Sequence, residues 1–258
     1  MKMRLMIVLG IVTSLGLWLT WQSNAVEPVV AQEPVGLQAV VGRSIKSDLS
    51  PALHDIPPIP PQAHPPREIP RHLPRKPPQI VPSLPAIPRR DPVLQNRPGG
   101  VRMPAPILNF AGISNVNNKW PPDTNGDIGY DPSSGKKYFV QWVNLSFQIW
   151  DVTTTPTSLY GPVNGNTLWS GFGGPCQTEN DGDVIALFDP LAQRWLMSQF
   201  ALPNYPYGPF YQCIAISATA DPSGTYHRYA FLVHNTKMND YPKFGVWPDG
   251  YYMSINQF

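Results

Sequence analysis

Residues 126–144 read GDIGYDPSSGKKYFVQWVN, and two later stretches repeat the pattern. Residues 182–200 read GDVIALFDPLAQRWLMSQF, and residues 240–258 read DYPKFGVWPDGYYMSINQF. The steps from Tyr138 to Trp195 and from Trp195 to Tyr252 are each 57 positions. Self-similarity at a fixed period is typical of repeat architectures, and a strand-rich unit favours a β-propeller blade. We therefore expect an all-β fold, a partial propeller with about two blades and the start of a third.

Short strands separated by tight turns are predicted throughout residues 105–258, where aromatic and β-branched runs alternate with Gly, Pro, Asn and Asp. Turns are expected at 131–135, 221–224 and 248–250. No apolar spacing predicts a helix of useful length. The predicted strands are Lys137–Val143, Ser146–Asp151, Val184–Phe188, Trp195–Phe200, Tyr211–Ser217, His227–Val233 and Tyr251–Asn256.

An incomplete ring is the expectation for residues 105–258. A blade cannot bury both of its faces alone and needs neighbouring blades. Two blades and the opening of a third therefore predict a fragment of a longer propeller protein. The alternative is a two-sheet sandwich.

The amino terminus, residues 1–25, resembles a secretory signal. Lys2 and Arg4 precede an uncharged run from Leu5 to Trp21, and Ser23 to Ala25 supply small residues for cleavage. The alternative is an uncleaved membrane anchor, since the apolar run is near the short limit for spanning a bilayer. Both predict a secreted or cell-surface protein. Cys176 and Cys213 are then expected to form a disulfide, with two buried free thiols as the alternative.

Residues 26–104 are predicted to be a disordered, basic, proline-rich linker. Residues 51–106 hold 18 of the 33 prolines, and proline removes backbone donors and restricts the preceding residue. Residues 1–104 contain 12 Lys/Arg and 6 Asp/Glu, whereas residues 105–258 contain 7 and 11. The linker is therefore a candidate for contact with an anionic surface, or simply a soluble stalk. The acidic balance of the other part argues against nucleic-acid binding.

A family resemblance rests on three strings, PPDTNGD (121–127), NTLWSGFGGPC (166–176) and DYPKFGVWPDGYY (240–252). In these the chain resembles a family of large, secreted, mostly uncharacterised bacterial proteins that are similar to sialidase-like β-propellers. The resemblance covers residues 105–258. It implies a propeller fold and an extracellular setting, and it implies no settled activity.

A calcium site is one candidate. Asp123, Asn125, Asp127 and Asp131 place oxygen ligands at the spacing that calcium loops use. The match to such a loop is partial, because Ile128 stands where glycine is expected and Ser134 where glutamate is expected. The alternative is a turn at Asn125-Gly126 with exposed carboxylates.

A second candidate site comes from the repeat itself. Asp127, Asp183 and Asp240 stand at similar places in the three units, so they are expected either to converge on a binding pocket or to cap their own turns. Aromatic residues in Gly- and Pro-rich loops are candidates for stacking on sugars or docking a protein, with core packing as the alternative. They are Trp169, Phe172, Tyr205, Tyr207 and Tyr211.

Enzymatic activity is weakly indicated. A sialidase clamps its substrate carboxylate with an arginine cluster, and residues 105–258 contain only Arg194 and Arg228. No Gly-x-Ser-x-Gly elbow is present. We therefore expect a binding module for an extracellular glycan or protein. The alternative is a glycoside hydrolase of sialidase-like type whose site is completed beyond Phe258.

Overall fold

The computed structural model describes residues 42–63 and 104–258, and antiparallel β-strands dominate both segments. The all-β prediction is confirmed. In chain order the strands are β1 (Lys46–Leu49), β2 (Asn125–Asp131), β3 (Lys136–Val143), β4 (Ser146–Asp151), β5 (Thr157–Asn164), β6 (Ile185–Asp189), β7 (Arg194–Ala201), β8 (Phe210–Ser217), β9 (Tyr226–His234), β10 (Asn239–Trp247) and β11 (Gly250–Gln257).

Three sheets contain these strands. Sheet 1 has the order β2-β3-β4-β5, sheet 2 the order β1-β9-β8-β7-β6, and sheet 3 is the hairpin β10-β11. Apart from β1, each sheet is a meander in which consecutive strands pair. No closed barrel forms among the described residues. The first strands β2, β6 and β10 lie side by side, so the sheets are stacked in chain order.

The hairpin turns determine which residues of the three sheets are equivalent. Asp131 pairs with Lys136 across the first turn, Asp189 with Arg194 across the second, and Trp247 with Gly250 across the third. Asp131, Asp189 and Trp247 are therefore equivalent, at steps of 58 residues. Asp127, Asp183 and Asp240 are not equivalent positions. Asp127 is the third residue of β2, whereas Asp183 precedes β6.

The main core lies between sheet 1 and sheet 2. Because successive side chains of a strand point to opposite faces, every second residue of β3 enters it, namely Tyr138, Val140 and Trp142. Phe188 and Trp195 enter from sheet 2, with their ring centroids 5.1 Å apart. The other face of sheet 1 is covered by Phe110, Ile113 and Val116, which pack on Phe139, Val143 and Trp150.

Residues 45–62, hereafter the strap, belong to this folded unit. Strand β1 pairs with β9, Leu53 and Ile56 are buried in the main core, and the amide of Asn164 at the outer edge of sheet 1 donates to the carbonyl of Ile59. The strap thus joins the outer strands of sheets 1 and 2. The prediction of a structureless linker is wrong for these residues, because they bury apolar side chains and pair with a strand. Residues 26–41 and 64–103 of the predicted linker lie outside the described residues.

A buried ion pair attaches the strap to sheet 2. Arg228 on β9 donates to both carboxylate oxygens of Asp48 on β1, at 2.9 and 2.6 Å. Its remaining nitrogen donates to the carbonyls of Leu168 and Ser170, and its guanidinium lies over the Phe172 ring. The Arg228 side chain is 2% exposed. From the sequence, Arg228 was only one of two arginines in residues 105–258, too few to form a substrate clamp. In the structure it has a structural role.

The helical content is small, as expected. A short helix α1 (Pro175–Thr178) and two 3-10 turns (Leu53–Asp55 and Gly165–Trp169) complete the elements. Cys176 of α1 forms a disulfide with Cys213 of β8, which confirms the predicted pairing. The bond is consistent with an extracellular location. No helix in the described ranges is long and apolar enough to span a membrane, and the predicted signal, residues 1–25, lies outside them.

Candidate functional site

The polar residues of β2 join sheet 1 to sheet 2. The side-chain oxygen of Asn125 accepts a hydrogen bond from the Ala186 amide at 2.7 Å, and Asp127 accepts one from the Phe188 amide at 2.8 Å. The second carboxylate oxygen of Asp127 accepts from the Ile128 amide. These side-chain oxygens give hydrogen-bond partners to backbone amides that would otherwise be left without a partner between the two sheets. Asp127 therefore connects sheets and does not cap its own turn.

Turn capping is the role of a different set of aspartates. Asp131 accepts from the Ser133 amide and from the hydroxyls of Ser133 and Ser134, and the hydroxyl hydrogen bonds lower its pKa. Asp189 accepts from the amides of Leu191 and Ala192. Both precede a proline at the start of a hairpin turn, which is the expected chemistry for an Asp-Pro turn.

The four residues predicted to bind calcium do not form one site. Asn125, Asp127 and Asp131 lie on an extended strand, and six residue steps place Asn125 and Asp131 about 20 Å apart. Calcium ligands lie about 2.4 Å from the ion, so these side chains cannot share one. Within residues 42–63 and 104–258, no group of three or more His, Cys, Asp or Glu side chains is placed to hold a metal ion. Calcium binding by this protein stays a prediction.

A group of loops meets at the end of the sheets where β2, β6 and β10 begin. This end, hereafter the rim, comprises residues 120–124, Asn144, residues 181–184, residues 202–209 and residues 239–241, because the registers β2–β3, β7–β8 and β10–β11 place them at the same end. It includes the two aspartates predicted to bind a ligand, Asp183 and Asp240.

Hydrogen bonds between the loops hold the rim together. The side-chain amide of Asn144 donates to the carbonyl of Pro121 at 2.7 Å, and the Asp181 carboxylate accepts from the backbone amide of Leu202 at 2.7 Å. Gly182 adopts φ +102°, and a Cβ there would lie 2.9 Å from Asn144 Oδ1. This position therefore requires glycine, both for its backbone conformation and for the close approach of Asn144.

Asp183 is the electrostatically unusual group of the rim. Its carboxylate accepts a hydrogen bond from the Tyr241 amide at 2.8 Å, which links sheet 2 to sheet 3. Burial, together with the nearby carboxylates of Asp240 and Asp123, raises the pKa of Asp183 to about 6, against the opposing effects of the Tyr241 amide and Lys243. Its backbone has φ +47°, in the left-handed region that few residues other than glycine adopt. Such a carboxyl group, half-buried beside two others, can hold a proton near neutral pH.

The aromatic residues predicted to bind a ligand divide into two sets. Trp169 and Phe172 are buried in the main core, and Tyr211 packs against it. Tyr205 packs on the small apolar cluster of Phe200, Leu202 and Phe210. For these residues core packing is the observed role. Tyr207 is the exception, since 82% of its surface is exposed at the rim.

Two exposed rim aromatics were missed by sequence reasoning. Trp120 is 62% exposed and Tyr241 is 56% exposed. Lys243 lies with its ammonium 3.8 Å from the centroid of the Tyr241 ring, which leaves one face of that ring for other contacts. A tryptophan before two prolines is a loop signal, but only the tertiary structure shows that its side chain is exposed.

Comparison with protein-family models, with curated proteins and with solved structures finds no match for this chain. The class of protein is therefore defined by the fold alone, as a disulfide-bonded all-β protein built of stacked antiparallel sheets.

Proposed function

We propose that this protein is an extracellular glycan-binding module of the β-propeller class, and that the rim is its binding surface. The exposed aromatic rings of the rim, whose loops also include the half-buried Asp183, carry the proposal. Trp120, Tyr207 and Tyr241 supply flat apolar faces at the rim, and Asp183, Asp240 and Asp123 supply hydrogen-bond acceptors. Sugars present an apolar C–H face and hydroxyl donors around it. Aromatic rings complement the apolar face, and carboxylates accept hydrogen bonds from the hydroxyls.

The propeller class is part of the proposal. Three sheets stacked in chain order, with their first strands adjacent, support it, as do the hydrogen bonds that each sheet makes to the first strand of the next. Propellers place the ends of their first strands around a central channel, where loops from several blades form one surface. The resemblance to secreted sialidase-like propeller proteins agrees with this arrangement and with the disulfide.

A glycan is favoured over a protein partner by the composition of the rim. Protein interfaces are centred on large apolar anchors, with charged groups depleted from their centre. The rim instead combines three carboxylates with three exposed aromatic rings. The anionic-surface role of the proline-rich linker remains a separate prediction, since residues 64–103 lie outside the described part of the chain.

A glycan microarray tests the proposal. Wild-type protein is expected to be retained on a defined subset of immobilised glycans, and Tyr207→Ala and Trp120→Ala are each expected to weaken that binding about tenfold. Leu191→Ala is the matched control, because Leu191 is 65% exposed but lies in the turn between β6 and β7, at the opposite end of the sheet. Absence of retention on every glycan would reject the proposal. An equal loss of glycan binding for Leu191→Ala would show that the binding surface does not lie at the rim.

Glycoside hydrolysis is the second candidate function, and the raised pKa of Asp183 is the observation that favours it. A glycosidase needs one carboxylic acid that keeps its proton and a second carboxylate nearby. Asp183 and Asp240 offer such a pair. If a panel of aryl glycosides is cleaved, Asp183→Asn with Asp240→Asn is expected to abolish cleavage while glycan binding persists. Cleavage that survives this double substitution would exclude Asp183 as the acid.

A further inference from the structure

Sheet 3 has one face turned toward sheet 2 and one face turned away from it. The hydroxyl of Tyr251 donates to Asp189 of sheet 2 at 2.7 Å, which identifies the inner face. The next residue, Tyr252, pairs with Gly245 and points to the other face, as does Trp247. Tyr252 and Trp247 are 57% and 67% exposed. We call the surface formed by Gly245, Trp247 and Tyr252 the outer face of sheet 3.

This outer face repeats a feature that sheet 1 uses to pack on sheet 2. In sheet 1 Gly129 pairs with Tyr138, and in sheet 3 Gly245 pairs with Tyr252. A Cβ at Gly129 would lie 2.6 Å from Phe188 and 2.5 Å from Trp195, so sheet 2 fills the space over that glycine. At Gly245 a Cβ would meet nothing within 4 Å. Sheet 3 therefore carries the same recess, and no residue of the described ranges lies over it.

The residue that would fill the recess has an equivalent in this chain. Phe188 is the residue just before the Asp-Pro turn of sheet 2, and Tyr130 is the residue just before the Asp-Pro turn of sheet 1. Tyr130 and its neighbour on the same face, Ile128, point away from sheet 2 and are 50% and 61% exposed. The segment containing Phe110 covers β3 and β4 on this face, whereas Ile128 and Tyr130 on β2 stay exposed among the described residues.

We propose that a second copy of this chain docks on the outer face of sheet 3, with Tyr130 of one copy packed over Gly245 of the other. The contact continues the interface that already joins sheets 1 and 2, with Tyr130 in the place of Phe188 and Gly245 in the place of Gly129. A second copy is the fitting occupant because this chain itself carries the matching ridge. A two-fold axis would form the contact twice, which closes the assembly as a dimer.

Analytical ultracentrifugation of the full chain, exported under oxidising conditions, tests the proposal. The wild-type protein is expected to move from monomer to a discrete dimer as its concentration rises. Gly245→Leu should weaken the dimer at least about tenfold, because the added side chain occupies the recess. Gly42→Leu is the matched control: it adds the same side chain, also where no described atom lies within 4 Å, but it lies ahead of β1, at the edge of sheet 2 opposite β6.

A second measurement keeps the outcome clear if a variant folds poorly. The double variant Tyr130→Cys and Gly245→Cys is expected to form a covalent dimer on oxidation, whereas each single variant should not. A monomer at every concentration would overturn the proposal. So would a dimer that tolerates both Gly245→Leu and Tyr130→Ser, since it would use another surface.

Discussion

At the residue scale, Asp183 shows how burial and neighbouring charge act on one carboxyl group. Its pKa is raised from 3.8 to about 6. The folded state therefore keeps a proton that the unfolded state releases between about pH 4 and pH 6. The free energy of unfolding should fall as the pH rises through this window, and the loss persists above it. This sign is opposite to that of a carboxylate stabilised by a salt bridge.

Asp183→Asn should remove this dependence. The amide oxygen of asparagine can still accept the hydrogen bond from the Tyr241 amide, and it carries no charge to desolvate. We expect the unfolding free energy of the variant to be flatter than that of the wild type between about pH 4 and pH 6, measured by denaturant titration. Asp240→Asn should weaken the dependence without removing it, because Asp240 is a secondary cause. Identical pH profiles for wild type and Asp183→Asn would show that Asp183 has an ordinary pKa.

Breaking the Arg228–Asp48 pair, which lies far from the rim, is expected to cause a large loss of stability. Asp48→Asn leaves the buried guanidinium without its charged partner, and breaking such a pair typically costs about 3–5 kcal/mol. Asp48 is partly exposed, so we expect about 3 kcal/mol in the unfolding free energy. Asp55→Asn is the control, because its pairing with His54 is exposed and should change stability by less than about 0.5 kcal/mol. Equal effects of the two substitutions would mean that the pair does not hold the strap.

At the element scale, the strap is the clearest departure from what the sequence predicts. The proline content of residues 51–106 favours an extended chain, and the strap is indeed extended along much of its length. The strap is ordered because Leu53 and Ile56 are buried in the core and because β1 pairs with the edge of β9 that β8 does not occupy. Proline excludes helix but does not exclude burial of the residues between prolines.

Two leucines of the strap allow a matched test of its burial. Leu53 is fully buried, whereas Leu49 is 58% exposed. Leu53→Ala should lower the unfolding free energy by about 2–5 kcal/mol, the usual cost of truncating a buried leucine. Leu49→Ala should cost less than about 0.5 kcal/mol. Thermal or denaturant unfolding of both variants measures the difference, and a small effect at Leu53 would show that the strap detaches in solution.

The strands that sequence reasoning found are those with continuous aromatic and β-branched residues. All seven predicted strands match observed strands within one residue at each end; they are β3, β4, β6, β7, β8, β9 and β11. β2 was interpreted as a calcium loop and β10 was missed, because Asn, Asp, Gly and Pro dominate their first halves. In the structure Asn125 and Asp127 of β2 accept hydrogen bonds from backbone amides of sheet 2. Asn239 of β10 donates to the Tyr211 carbonyl and to the Gln212 side chain of sheet 2. Residues with low strand propensity are thus stabilised by tertiary contacts.

At the scale of the whole molecule, the disulfide connects the segment between sheets 1 and 2 to the centre of sheet 2. Cys176 and Cys213 are 37 residues apart. Closing a loop of this length reduces the entropy of the unfolded chain, which corresponds to about 3–4 kcal/mol. Reduction, or Cys176→Ser with Cys213→Ser, should lower the unfolding free energy by about that amount. Equal denaturant midpoints for the oxidised and reduced protein would contradict this unfolded-state effect of the disulfide.

The sequence by itself determined the all-β class, the turn positions and the disulfide partners. These follow from local chemistry: strand-forming side chains, Asp-Pro and Gly turns, and a sequence that contains only two cysteines.

Only the tertiary structure decided which residues face solvent, the neighbouring sheet or the core. Trp169 and Tyr207 are both aromatic residues of Gly- and Pro-rich loops, yet one is buried and the other exposed. Asp127 and Asp183 both follow a glycine, yet they lie at different places along their sheets. These differences depend on strand register and on contacts between residues about 60 positions apart, and a local sequence pattern carries no record of either.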